Sequence, residues 1–126
     1  MFKFRNDLPI YIQIMDFILK DIISGRYKPG QQIPPVRELA KKYEINPNTC
    51  QKAVLELTEK GYLYTASTAG RYVTNDTEKI ENYRMEIMTK LVKDFEEEVK
   101  EFNFDLDEII EIMKREEGKN NGFNRY

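Results

Sequence analysis

Ile33 to Leu63, IPPVRELAKKYEINPNTCQKAVLELTEKGYL, decides the fold of this chain. Pro34-Pro35 starts a helix on which Val36, Leu39, Ala40 and Tyr43 share one apolar face, while Arg37, Glu38, Lys41 and Lys42 stay outside. Glu44-Ile45 makes a turn with Ile45 tucked inward, and Asn46-Pro47 reads as an N-cap followed by a proline at the first helical position. The second helix keeps Cys50, Ala53, Val54 and Leu57 inside and Asn48, Thr49, Gln51 and Lys52 outside, and it ends before Gly61. Two short helices joined by a tight turn are a helix-turn-helix. The free amides at the start of its second helix favour phosphate, and short polar side chains there reach base edges in a major groove. Asn and Gln can pair with adenine, Thr can touch a thymine methyl, and Arg37 can grip a guanine or hold a phosphate. Asn46, Pro47 and Thr49 also have a local reading as helix-start residues. Asn48 and Gln51 fit that reading less well, since a cap needs neither. Cys50 reads as a small core residue.

Outward from this stretch, Tyr62-Leu63-Tyr64-Thr65 and Arg71-Tyr72-Val73-Thr74 are β-prone runs flanking Ala66-Ser67-Thr68-Ala69-Gly70, which together read as a β-hairpin. A hairpin directly after a recognition helix is a wing, whose tip lies along the sugar-phosphate backbone or in the minor groove, so Gly70 and Arg71 join the candidate contacts. Upstream, Pro9 to Ser24 reads as a helix capped by Gly25. Ile10, Ile14, Phe17 and Ile18 form one stripe on it, and Ile12, Met15, Leu19 and Ile23 another, so two sides need burial. One side is expected against the helix-turn-helix and the other against the tail or a second subunit, with a central core helix as the alternative. Arg26-Tyr27-Lys28-Pro29-Gly30 reverses the chain between the two.

Downstream, Ile80, Tyr83, Ile87, Leu91, Phe95, Val99 and Phe102 recur at three- and four-residue steps and form one helical stripe about 40 Å long. A turn at Phe102 to Asp105 leads to a shorter helix with Leu106, Ile109, Ile110 and Met113 on its face, opened by the capping-box spacing of Asp105 and Glu108. Two amphipathic helices cannot enclose a core alone, so this tail is expected to pack on the first helix, on a partner's tail, or on both. The domains read as 1–76, a winged helix-turn-helix, then 77–117, a helical dimerisation tail, and 118–126, a disordered end. The fold class is mostly α with one small hairpin.

Composition narrows the functions. The net charge of the 126 residues is −2, yet residues 1–76 carry eleven Lys or Arg against eight Asp or Glu, and residues 77–126 carry nine against fourteen. A basic head and an acidic tail permit DNA binding by the head alone. The chain has no histidine, its one cysteine faces inward, and neither a glycine-rich phosphate loop nor a metal-ligand cluster appears, so no catalytic residue, metal or cofactor is expected. The single cysteine points to no oxidising compartment, and no apolar run approaches the roughly 20 residues that span a bilayer, so a cytoplasmic protein is expected.

From Leu8 to Val73 the sequence resembles the GntR-type bacterial transcription regulators. The resemblance rests on Pro9-Ile10-Tyr11 with Gln13-Ile14, Gly25 to Gly30, Pro34-Pro35-Val36-Arg37-Glu38-Leu39-Ala40, Asn46-Pro47-Asn48-Thr49, Gln51-Lys52-Ala53, and Leu57 to Gly61. It implies a homodimeric winged-helix regulator, a repressor reading a palindromic double-stranded operator. Its contacts would fall on Arg37, on Asn46, Asn48, Thr49 and Gln51, and on the wing near Gly70. Three positions depart from the family pattern: Pro35 replaces a capping serine, Cys50 replaces a valine, and Thr68-Ala69-Gly70 keeps only one of the two usual wing glycines. The 50 residues after Asp76 resemble the short-tailed YtrA-like subfamily, whose tail is a helical dimerisation unit. Tyr83, Phe95 and Phe102 leave room for an unidentified small-molecule effector between tail and first helix, although dimer core explains them better. The competing function is a protein-interaction module that uses the winged helix only as a scaffold.

Overall fold

The computed structural model describes residues 3–66 and 70–119. Its elements, in order, are α1 (Ile10–Ile23), α2 (Val36–Tyr43), α3 (Pro47–Glu59), β1 (Leu63–Thr65), β2 (Arg71–Val73), α4 (Thr77–Glu101) and α5 (Leu106–Lys119). The chain divides into two compact units, 1–84 and 85–126, with α4 running from the first into the second. No helix among the described residues is long and apolar enough to cross a membrane.

In the first unit, α1 packs on α3 and α2 packs on α3. The core they share contains Ile14, Ile18, Leu39, Cys50, Ala53, Val54, Leu57, Leu63 and Val73, each essentially without exposed surface. Pro9 is the N-cap of α1 and not its first helical residue, so the helix begins one position later than the sequence suggests. Gln13, one of its buried residues, is polar, and each end of its side chain finds a backbone partner. Its Nε2 donates to the carbonyls of Arg5 and Leu8 at 2.9 Å each, and its Oε1 accepts from the Arg5 amide at 2.8 Å. These bonds tie the segment before α1 to the helix, and the Phe4 and Phe17 rings meet at 5.9 Å. Aliphatic periodicity shows the apolar stripes of α1 but not this polar anchor.

The turn between α2 and α3 forms as read. Glu44 adopts the left-handed conformation (φ 58°), Ile45 donates to the Ala40 carbonyl at 3.0 Å, and Ile45 packs on the core. At the end of α3, Gly61 (φ 87°) and Tyr62 donate to Thr58 and Leu57, which satisfies two of the last helical carbonyls and turns the chain into β1.

The hairpin is antiparallel, with Leu63 opposite Val73, Tyr64 opposite Tyr72 and Thr65 opposite Arg71. A short extended segment flanks its other edge: Val73 donates to Gln31, and Ile33 donates to Arg71, with Gln32 bridged to Tyr72. The sequence gives no sign of this addition, because Pro34-Pro35 stops the segment after one bridge. Ser67, Thr68 and Ala69 of the hairpin tip lie outside the described residues.

Asp76 starts α4, its Oδ1 accepting from the Lys79 amide at 3.1 Å. Ile80 and Tyr83, the first residues of the expected dimerisation stripe, pack on the first unit's own core, and the Tyr83 ring lies 5.4 Å from that of Tyr62. The first compact unit runs to Arg84, with Ile80 and Tyr83 of α4 against its core.

The second unit holds the rest of α4 and α5. Asn103 (φ 56°) lets residues 103 and 104 donate to Lys100 and Val99, closing the end of α4, and the rings of Phe102 and Phe104 stack at 5.1 Å. Phe102 thus lies beyond α4, in the turn and exposed. Asp105 caps α5 through the amide of Asp107 at 3.0 Å, one position before the residue a capping box would use. Gly118, expected in an irregular end, is helical, while 120–126 lie outside the described residues.

Candidate nucleic-acid interface

The first turn of α3 is built around Asn46. Asn46 precedes the helix in extended conformation, and its Oδ1 accepts from the Asn48 amide at 2.7 Å, with Pro47 as the first helical residue. The carbonyl of Asn46 accepts from Thr49 at 3.0 Å and from Cys50 at 3.2 Å. Asn46 is therefore engaged as a cap, which is its local reading. Asn48 is exposed, while Thr49 and Gln51 are half-buried. Cys50 is wholly buried, and that burial pushes its thiol above the ordinary range, which disfavours the reactive thiolate.

Lys52 behaves differently. Its ammonium lies 4.1 Å from the centre of the Tyr11 ring on α1, so this predicted contact is drawn to the helix behind α3 and braces the packing of the two. Arg37 follows directly on the first residue of α2 and is exposed. The N-terminus of α2 has no side-chain cap, because Pro35 occupies the capping position.

Gln51 lines a notch of about 170 Å³ together with Pro35 and Val36 of the α2 start, Val54 of α3, and Gly70 and Arg71 of the wing. The fold thus gathers three of the sequence-predicted residues, Gln51, Gly70 and Arg71, beside the start of the helix that bears Arg37. At Gly70 (φ 136°) the absence of a side chain leaves room for Gln32, whose Nε2 would stand 2.6 Å from a Cβ placed there. Gln32 was missed by the sequence reading, because its place depends on the segment pairing with β2.

In the second unit, Leu91, Val92 and Phe95 of α4 face Leu106, Ile109, Ile110 and Met113 of α5 across an open apolar groove of about 370 Å³. Leu91 is 64% exposed, Met113 53%, and Phe95 39%, whereas Val99 is buried and Ile87 half-buried. Leu91, Phe95 and Met113 thus present apolar surface that the other described residues leave exposed.

Comparison with known proteins agrees with this architecture. Residues 10–73 match the family of bacterial regulatory proteins, gntR family. A GntR family transcriptional regulator from Listeria monocytogenes is 37% identical, and the match covers 89% of this chain and 98% of that one with a TM-score of 0.79. The HTH-type transcriptional repressor YtrA of Bacillus subtilis is 39% identical over 72 residues, which are 57% of this chain and 55% of that repressor. The DNA-binding domain of AraR, solved in complex with operator ORR3, is 31% identical, covering 59% of this chain and 87% of that one with a TM-score of 0.51. A winged helix with an uncovered helical tail, matched over the whole winged-helix segment and across most of its length by a solved regulator, identifies this chain as a YtrA-like member of the GntR family of DNA-binding transcription regulators.

Proposed function

We propose that this chain represses transcription by binding a palindromic operator as a homodimer. The observation that carries the operator reading is the grouping of Gln51, Gly70 and Arg71 around the uncapped start of the Arg37-bearing helix. Asn48, Thr49 and Gln51 read base edges, and Arg37 takes a guanine or a phosphate. Asn46 holds the helix start, and Lys52 holds α3 against α1. Dimerisation rests on the groove between α4 and α5, where exposed Leu91, Phe95 and Met113 form an apolar surface of the kind that associates. Ile87, Val99 and Ile109 complete that unit, with residues 1–84 as the reading head and 85–119 as the dimerisation tail. Two heads then read half-sites about 34 Å apart or a multiple of that.

Selection of bound fragments from genomic DNA, followed by gel shift on the selected duplex, tests this. Each of Arg37→Ala and Gln51→Ala should weaken specific binding by roughly 5- to 150-fold per half-site, the range of a bidentate base contact. Retention of full specific affinity by both variants would remove the contact assignment. Failure to select any sequence would favour a scaffold role.

A further inference from the structure

We propose that a pocket between the end of α1 and the end of α2 binds a small aromatic carboxylate. This site goes beyond operator binding and does not depend on it. Phe17, Lys20 and Asp21 share one face of α1 at three- and four-residue steps. Gly25 (φ 85°) turns the chain after the helix, and Arg26 comes back against that face, its Nη1 donating to Asp21 Oδ1 at 2.6 Å. Lys42 and Tyr43, the last residues of α2, complete the lining. These six residues bound an open space of about 370 Å³, within the range of roughly 300 to 1,000 Å³ that small organic ligands occupy.

The lining has an aromatic and a cationic part. Tyr43 is buried and Phe17 half-buried, and their rings lie 5.7 Å apart, so they offer apolar surface to a flat body. Lys20, Arg26 and Lys42 stand against the single carboxylate of Asp21, a surplus of two positive charges. Lys20 and Lys42 also lie in the last turns of α1 and α2, where each helix end carries roughly half a negative charge. Setting both ends against the surplus still leaves about one positive charge, which suits a monoanion better than a phosphate dianion. Two of the cations are held before any ligand arrives. Asp21, whose side chain is 14% exposed, binds Arg26 and stands 3.8 Å from the Lys42 ammonium, which lies 5.3 Å and 5.9 Å from the centres of the Tyr43 and Tyr27 rings. Such prearrangement lowers the ordering cost of binding. A guanidinium carries more donors than its one bond to Asp21 uses, so Arg26 can also grip a carboxylate.

Amide NMR spectra of the isotope-labelled full chain, titrated in turn with benzoate, benzamide and acetate at constant ionic strength, test this assignment. Benzoate should shift the amides of residues 17–27 and 42–44 saturably. Benzamide, which lacks the charge, and acetate, which lacks the ring, should each bind at least about 10-fold more weakly. Arg26→Gln and Lys42→Gln, both at exposed side chains, should each weaken benzoate by about 10-fold while the rest of the spectrum stays native. No saturable shift, or shifts confined to residues 91–113 of the tail groove, would overturn the site. So would acetate binding as tightly as benzoate, or benzoate affinity unchanged in both variants. Each of these results leaves the regulator reading standing, because no DNA enters the measurement.

Discussion

Replacing Asn46 separates capping from base recognition, because its side-chain oxygen is already committed. That oxygen accepts from the Asn48 amide at 2.7 Å, and nothing else caps the first turn of α3 by a side chain. Asn46→Ala should therefore lower stability by about 1 kcal/mol, the usual cost of losing an N-cap acceptor. If the loss falls on the first turn of α3 alone, ordering that turn on DNA costs about the same energy. The affinity then drops by no more than about 5-fold per half-site, equally on specific and random duplexes. Asn46→Ser supplies another capping oxygen on a shorter side chain, so it should regain both stability and affinity. Urea unfolding measures the first quantity and anisotropy on the two duplexes measures the second. Loss of specific binding beyond 10-fold in Asn46→Ser, with stability intact, would show that Asn46 reads a base and that the capping argument is wrong.

Gln13→Leu keeps the bulk of the side chain and removes its three hydrogen bonds to residues 5 and 8, so amide exchange at Arg5 should accelerate by about 10- to 100-fold as the leading segment undocks. Unchanged protection at Arg5 would refute that anchor. Partial burial holds the Asp16 carboxyl above its ordinary value, with Lys20 acting in the opposite direction. The folded state then binds the proton more tightly than the unfolded one, so this group disfavours folding increasingly as pH rises through that window, and the strain is relieved in acid. Asp16→Asn should accordingly stabilise the protein at neutral pH, with the gain shrinking as pH falls below the carboxylate range in parallel urea titrations. Phe95→Glu places a charge in the apolar groove of the tail. It should convert a dimer to a monomer in sedimentation equilibrium and weaken binding to a two-half-site duplex far more than to a single half-site. A wild-type chain that sediments as a monomer would refute the dimer itself.

Much of the fold was legible because its signals are local. Asn46-Pro47 is a helix start in any context, Gly61 permits the positive φ that closes α3, and the spacing of Cys50, Ala53, Val54 and Leu57 leaves only one face to bury. Tyr62 to Thr74 read as a hairpin because its strands are adjacent in sequence. The corrections share a different cause. Ile80 and Tyr83 continue the stripe that runs down α4, and periodicity alone cannot tell which turns meet the chain's own core and which remain for a partner. Lys52 lies on the outer face by helical spacing, yet Tyr11, more than forty positions earlier, draws its ammonium away.

The sequence by itself determined a helix-turn-helix with a wing, a long helical tail, and the side-chain chemistry available to meet DNA. Helix periods, caps and turns are set by neighbours within a few residues, so they survive without knowledge of the rest of the chain. Only the tertiary structure decided that Arg71 and Gln51 line one notch, that Gln32 lies against Gly70, and that Ile80 and Tyr83 pack on the core of the first unit. Each of those outcomes depends on contacts between distant segments, where packing and desolvation act without leaving a local mark on the sequence.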